Sequence, residues 1–207
     1  MLRINQNALQ RTDTFLALPS RKRDRFVTFV ASKSKMFLSY LKDFVTKKIV
    51  KKELSNTAPA PVEGLVKTVG ILFDETYFRE REALVAELVA NGISPDAISI
   101  LVFKDRIKNN EAFDYPVFSH KDIKWTAAID KPEVKAFIRT EFDLLINYYD
   151  TEKAALLLVS HLSKAKFKAG FSAVDKRLHH FMIDTNAENY KVFSDELFKY
   201  LKILNKI

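Results

Sequence analysis

The sequence contains no cysteine and only four glycines among its 207 residues. Without cysteine the chain can form no disulfide, no thiolate metal site and no cysteine nucleophile, and a reducing compartment is the simpler expectation. The glycines are too widely spaced to form either a G-x-G-x-x-G turn or a G-x-x-x-x-G-K phosphate loop. Cofactors that bind through these loops are therefore not expected, and we predict no cofactor.

The sequence also lacks a long apolar run. A membrane-spanning helix needs roughly 18 apolar residues, and lysines interrupt every candidate core of a signal peptide near the N-terminus. The four histidines, at positions 120, 161, 179 and 180, do not have the spacing of metal ligands, so no metal site is predicted. We expect an uncleaved cytoplasmic protein.

Positive charge is concentrated in one segment. Residues 21–52 hold eleven Lys and Arg against Asp24 and Asp43, a net charge of +9, whereas the whole chain carries +8. Apolar residues recur within this segment at spacings of three and four, which predicts a basic amphipathic helix. Its charged face either is simply solvated or contacts an anionic membrane surface, at the inner face of the membrane, or nucleic acid. The candidate contacts for an anionic partner are Lys42, Lys47, Lys48, Lys51 and Lys52.

The chain is predicted to divide into four parts. A loose N-terminus covers 1–20, the basic helical arm 21–54, a linker rich in proline 55–64, and an α/β domain 65–207. Met36 is an alternative start, because the periodic pattern is poorer before it.

Unbroken apolar runs alternate with helical patterns in the last part. Strands are predicted at 66–73, 98–103, 142–149, 167–171 and 180–183, with weaker signals at 115–118 and 123–126, and helices at 76–90, 132–140, 152–164 and 186–207. Strands that are apolar on both faces and joined through helices favour a mostly parallel sheet with helices on both sides. The predicted fold is a three-layer α/β sandwich with a Rossmann-like sheet, preceded by the basic amphipathic helix.

Ligands of such sheets bind at the carboxyl ends of the strands. Among the polar residues at these ends, Asp74, Asn147, Asp150 and Ser172 are the candidate ligand-binding residues. Simpler roles compete with this interpretation: Asp74 and Asp150 precede helices, and Asp130 with Glu133 and Thr185 with Glu188 have the spacing of capping boxes. Trp125, the single tryptophan, either stacks on a ligand or packs in the core.

Several segments resemble a known family. FDLLINYYD at 142–150, TEKAALLLVSHLSKA at 151–165, KFKAGFS at 166–172, Asp184 and ELFKYLKILNKI at 196–207, with MFLSYLKDFVTKKIVKKELSN at 36–56, resemble an uncharacterised family of small Bacteroidota proteins. The resemblance runs from about Met36 to the end. It implies a bacterial origin and an α/β body and assigns no catalytic residue.

Residues 142–172 also resemble the amino-terminal half of heptosyltransferase-type glycosyltransferases, where a similar strand, helix and strand follow one another. Those enzymes need a second, nucleotide-sugar-binding domain, for which this chain is too short. The resemblance therefore bears on topology rather than on transferase activity.

Two functions follow from these patterns. The first is a non-enzymatic α/β binding or adaptor domain whose basic helix contacts an anionic partner, with a protein partner of unknown kind. The alternative is a small enzyme or sugar-phosphate-binding domain with its site at the carboxyl ends of the strands. The sequence names neither a ligand nor a reaction.

Overall fold

The computed structural model describes residues 42–53, 64–76, 78–108, 111–124 and 126–207. Several predictions lie outside these residues: the loose N-terminus at 1–20, the arm before residue 42, most of the linker at 55–64, the alternative start at Met36 and the role of Trp125.

Five helices and six strands make up the described part of the chain. The helices are α1 (42–53), α2 (Arg81–Ala90), α3 (Pro132–Arg139), α4 (Ala154–Leu162) and α5 (Tyr190–Ile203). The strands are β1 (Val69–Asp74), β2 (Ile98–Phe103), β3 (Val117–Phe118), β4 (Leu144–Tyr148), β5 (Phe167–Phe171) and β6 (Phe181–Ile183). Within the described residues, no helix combines the length and the apolar content needed to cross a membrane.

The six strands form one sheet in the order β3-β2-β1-β4-β5-β6, and every neighbouring pair is parallel. This pairing confirms the predicted α/β fold with a parallel sheet. The two central strands, β1 and β4, are buried along their whole length, as strands covered on both faces must be. The first strand of the sheet, β1, is central. Strands β2 and β3 follow on one side of it, and the chain then returns to place β4 on the other side. A crevice is expected outside the carboxyl ends of β1 and β4, where the order reverses.

Each face of the sheet has its own apolar core. On one face α2 and α5 pack over Ile71, Phe73 and Tyr148, whereas on the other α3 and α4 pack over Leu72 and Leu145. The two sets alternate along β1 and β4, as the period of two in a strand requires.

Helix α1 belongs to the same compact unit as the sheet, Lys42–Ile207. Its inner side carries Thr46 and Val50, both fully buried, and Val50 joins the core that contains α3 and α4. The described part of the predicted basic helix therefore packs on the α/β body.

Some local predictions are wrong. Residues 123–126 form no strand among the described positions; Ile123 instead makes an isolated antiparallel bridge to Ile129. Helix α3 begins after Lys131 without a side-chain cap, and Asp130 pairs with Lys124 at 3.0 Å. Helix α5 begins after Asn189, too late for Thr185 to cap it.

Gly70 is needed in β1 because a ring lies against it. An added Cβ at this position would lie 2.6 Å from Cδ2 of Phe142, whose buried ring also packs on Phe137. Gly70→Ala is expected to lower the free energy of unfolding by about 1–3 kcal/mol, since a tightly packed core resists extra volume. Urea denaturation followed by circular dichroism measures this loss. Combining it with Phe142→Leu should restore part of the loss, and strictly additive effects would contradict the assigned contact.

Candidate functional site

A nearly buried lysine joins the ends of the two central strands. Lys153, directly before α4, places Nζ 2.7 Å from Oδ2 of Asp74 and 2.7 Å from Oγ1 of Thr76, both at the end of β1. Its Nζ also lies 3.2 Å from Oδ2 of Asp105, which follows β2, and 5.0 Å from the centre of the Phe103 ring. Lys153 and Asp74 are nearly buried, so this ion pair is shielded from water and salt. It closes the crevice at the point where the strand order reverses.

The network continues from Asp105 through a histidine to α1. The ring of His120 has Nε2 3.2 Å from Oδ1 of Asp105 and Nδ1 3.2 Å from Oδ1 of Asp43. Burial lowers the pKa of His120, but its contacts with the negatively charged Asp43 and Asp105 outweigh this effect, so the pKa lies above its ordinary value. Five side chains thus form one chain of alternating charge: Asp43, His120, Asp105, Lys153 and Asp74.

A cleft of about 660 Å³ opens beside this network. It lies at the carboxyl ends of β1 and β2, and its described lining is polar throughout: Glu75, Thr76, Arg79, Lys104, Asp105, Arg106, Lys108 and Glu111. The topology accounts for the edge at which the cleft lies, because the loops after parallel strands gather there. The cleft lies over β1 and β2, however, rather than at the reversal between β1 and β4.

The charges of this cleft are unequally paired. Lys104 Nζ lies 2.9 Å from Glu111 and 3.5 Å from Glu75, and Glu75 also accepts a hydrogen bond from the Tyr115 hydroxyl at 3.1 Å. Asp105 is neutralised by Lys153 and His120. Arg79 and Arg106 are exposed and make no ion pair within the described part of the chain. The cleft therefore offers two guanidinium groups without an ion-pair partner among the described residues, and such groups favour phosphate or carboxylate ligands.

Three of the four predicted ligand-binding residues, Asp74, Asp150 and Ser172, are occupied by separate partners. Oδ1 of Asp74 accepts from the Thr76 backbone at 3.0 Å, and its other oxygen contacts Lys153. Oδ2 of Asp150 accepts from the Ala187 backbone N–H at 3.0 Å, and the Ser172 hydroxyl donates to Asp184 at 2.7 Å. No hydrogen bond joins any two of the four in the described structure. Asp74 and Asp150 also do not cap helices, so the expected capping role is wrong for both.

Asn147 is buried inside the sheet rather than open at its edge. It is 0% exposed, and neither atom of its amide has a hydrogen-bond partner among the described groups. It is paired in register with Gly170, and the ring of His179 packs directly on that glycine. His179 likewise has no partner at either ring nitrogen within the described residues. Asn147 and His179 thus belong to a polar region beneath the helices, outside the cleft.

Three of the five lysines predicted to contact an anionic partner are directed at the body. Lys42 Nζ donates to the carbonyl of His120 at 2.6 Å, Lys47 Nζ to the carbonyl of Glu152 at 2.6 Å, and Lys51 Nζ to the Glu152 carboxylate at 3.0 Å. Lys48 and Lys52 are exposed. For the first three residues these contacts compete with any contact to a partner.

Sequence reasoning identified Asp74 at this edge and missed Lys153, His120, Arg79 and Arg106. Lys104 and Asp105 could be found, because they directly follow a predicted strand. Lys153 lies five residues beyond the end of β4, and His120 lies beyond a strand of only two residues. Arg79 and Arg106 look like ordinary surface cations in the sequence, and only the cleft distinguishes them. Among the described side chains, no group of three or more acidic or histidine residues is arranged to hold a metal ion.

Comparisons with known proteins concern the family. A search of curated proteins gave no match. Residues 42–204 match a family of unknown function, DUF6913. This range starts where the compact unit starts, rather than at Met36 as predicted. The Bacteroidota origin and the heptosyltransferase resemblance stay predictions. Since the match covers most of the chain, the protein belongs to the DUF6913 family, a family of unknown function.

Proposed function

We propose that this protein is an α/β binding domain that holds a small phosphorylated polyol, such as a sugar phosphate, in the cleft beyond β1 and β2. The observation that carries the proposal is the pair of exposed arginines, Arg79 and Arg106, in a cleft where Lys104, Glu75, Glu111 and Asp105 already have charged partners. A guanidinium group presents several N–H donors in a fixed plane and matches a phosphate well.

The rest of the lining supports a polyol rather than a nucleotide. Glu75, Asp105 and Glu111 offer carboxylate oxygens that can accept hydrogen bonds from hydroxyl groups. No aromatic ring is among the described lining residues, so a nucleobase would have nothing to stack on. The chain also lacks a glycine-rich phosphate loop, so the phosphate would be held by side chains.

Binding is favoured over catalysis because the titratable groups at this edge are bound to one another. Asp74, Asp105, Lys153 and His120 each have a charged partner within 3.2 Å, so a structural role for these groups is sufficient to explain their arrangement. The enzyme alternative makes a different prediction: release of inorganic phosphate from glucose 6-phosphate by the purified protein would favour it.

The predicted contact of the basic helix with an anionic membrane or nucleic acid stays a separate prediction. In the described residues it rests on Lys48 and Lys52, the two lysines of α1 that are exposed. Each lysine near an anionic membrane contributes about 1 kcal/mol, so these two alone would bind weakly. The cytoplasmic location also stays a prediction.

Calorimetry with glucose 6-phosphate tests the proposed function. We expect saturable binding to the wild-type protein, and a loss of about tenfold in affinity for Arg79→Gln and for Arg106→Gln, because each removes a charge-assisted hydrogen bond. Glucose, which lacks the phosphate, should bind much more weakly.

The matched control is Lys164→Gln. Lys164 is an exposed cation between α4 and β5, at the opposite edge of the sheet, and its removal changes the net charge by the same amount. It should leave the affinity within about twofold of wild type, since distant surface charges are screened by salt. Equal losses in all three variants would indicate unspecific attraction, and the absence of binding to the wild type would contradict the proposal.

A further inference from the structure

His120 lies between an element of the cleft and a helix outside it. On one side Nε2 faces Asp105, which lines the cleft; on the other side Nδ1 faces Asp43 in α1. Both distances are 3.2 Å. His120 therefore connects α1 to a residue that lines the cleft.

The geometry suits only one protonation state of the imidazole. A neutral imidazole carries one N–H and one lone pair, so it can donate to one carboxylate while its other nitrogen faces the oxygens of the second. A protonated ring donates from Nε2 to Asp105 and presents a charged N–H at Nδ1 to Asp43, a contact of 3.2 Å that is an ion pair without hydrogen-bond geometry in the described structure. When the ring loses its proton, one of the two links must open, and Asp105 keeps only Lys153 as a cationic partner.

Other charges around His120 act in the same region. Lys42 of α1 donates to the backbone carbonyl of His120, and Asp122 lies in the same short turn, where it accepts from the Ser119 backbone. Lys153 acts through Asp105, and the edge of the neutral Phe103 ring packs on the imidazole with centres 4.9 Å apart. The nearest groups are thus two carboxylates that favour the protonated ring and two ammonium groups that are already bound elsewhere.

Helix α1 is seated mainly through polar contacts. Beyond those of Lys42 and Asp43, Lys47 and Lys51 contact Glu152, and Glu53 lies 3.0 Å from Nε2 of His161. Val50 is the only fully buried apolar side chain in the described part of α1. Because polar contacts form much of the seating of the described part of α1, we expect loss of one charged link to change that seating.

We propose that His120 is a positioning residue that couples the seating of α1 to the affinity of the cleft for anions. With its ring protonated, His120 ties Asp105 to α1 and adds positive charge beside the cleft. With its ring neutral, the tie opens and Asp105 leaves negative charge near the ligand. The inference rests on the proposed function, because it assigns a control to the same site.

The experiment measures sulfate binding by calorimetry between pH 6 and pH 9. Sulfate is a suitable probe because it keeps its double negative charge over this range, whereas a phosphate ester titrates near pH 6. In the wild-type protein we expect affinity to fall by about tenfold as pH rises, as for the loss of one charge-assisted contact. His120→Gln should give weak binding with a flat profile. Asp43→Asn should move the midpoint of the wild-type profile to lower pH, although Asp43 does not line the cleft.

His161→Gln is the matched control. His161 makes the same kind of contact to α1, through Glu53, but from α4 and away from the cleft. It should keep the wild-type profile, and a flat profile in this variant would overturn the assignment to His120. Sulfate binding that is strong but independent of pH in the wild type would overturn the coupling and leave the proposed function intact. The absence of binding by wild type and His161→Gln at every pH would overturn both.

Discussion

Replacing Lys153 with methionine is expected to lower the free energy of unfolding by about 3–5 kcal/mol, the range seen when one partner of a buried ion pair is removed. Asp74 is only 7% exposed and would keep a single hydrogen bond, from the Thr76 backbone, to compensate its charge. Asp105 would keep only His120. Methionine has nearly the volume of lysine, so the loss reports on charge rather than on a cavity. Urea denaturation at pH 7 measures it.

The double variant Lys153→Met with Asp74→Asn separates two explanations. If the loss comes from an uncompensated buried carboxylate, neutralising Asp74 should recover part of it, and the double variant should be more stable than Lys153→Met alone. If the loss comes instead from the contact of the Lys153 ammonium with the Phe103 ring, Asp74→Asn should add a further loss. A single variant within about 1 kcal/mol of wild type would contradict the role of Lys153 altogether.

The fold could be predicted because local patterns determine it. In β1 (VGILFD) and β4 (LLINY), apolar residues follow one another without alternating with polar ones. This pattern is typical of strands covered on both faces. The separation of these runs by helices then selects parallel pairing. The element bounds were less predictable, since β1 begins three residues after its apolar pattern and α5 four residues after its own. These bounds are set by backbone hydrogen bonding and packing against other segments, which the sequence of one segment alone does not show.

The candidate site could be predicted only to the correct edge of the sheet. Parallel topology brings the residues after β1 and β2 together, so Asp74, Lys104 and Asp105 follow from strand prediction. Which of them would be neutralised did not follow, because Lys153 and His120 come from distant segments. The sequence also could not distinguish Arg79 and Arg106 from other exposed cations. What distinguishes them is their position in the cleft and the lack of an ion-pair partner among the described residues.

The basic helix is a second case in which the sequence does not show which groups charged residues contact. Its charge is evident in the sequence, but the partners of that charge are not: Asp43 and Glu53 meet histidines of the body, and Lys47 and Lys51 meet Glu152. A segment with a large net charge in the sequence can therefore have much of it neutralised by the surface on which it packs. Net charge alone supports a statement about long-range attraction and not about contacts.

Acidification is expected to destabilise the protein already at pH values above those at which its carboxylates titrate, because His179 takes up a proton when the protein unfolds. Burial, together with the positive charge of Lys168, lowers the pKa of this ring to about 4 from an ordinary value near 6.5. Between these values the unfolded chain takes up a proton that the folded protein excludes. Stability from this group is therefore complete above pH 6.5 and is lost as pH falls to about 4, by about 3 kcal/mol.

Other titratable groups either lose their stabilising contribution at a lower pH than His179 does, or contribute similarly to wild type and to a variant at position 179. Asp143, whose hydrogen bonds from Lys166 and the backbone before β1 outweigh its burial, and Asp175, bound by Arg177, both have a pKa of about 2. Their contribution is lost only as pH falls from about 4 towards 2. His120, whose partners are Asp43 and Asp105, contributes equally to wild type and to a variant at position 179. His180, whose pKa burial also lowers, repels the charge of a protonated His179 and so adds a smaller part to the difference.

The variant His179→Leu should therefore remove one defined part of the acid response. Leucine cannot titrate, and it takes away two buried ring nitrogens that have no partner among the described residues. We expect the two proteins to differ by less than about 1 kcal/mol at pH 7.5, and the variant to be more stable by about 2–3 kcal/mol at pH 4.2. Urea denaturation across this range gives the difference at each pH. Parallel curves for the two proteins would show that His179 takes up a proton as readily in the folded protein as in the unfolded chain, and that its burial beside Gly170 does not set the acid limit.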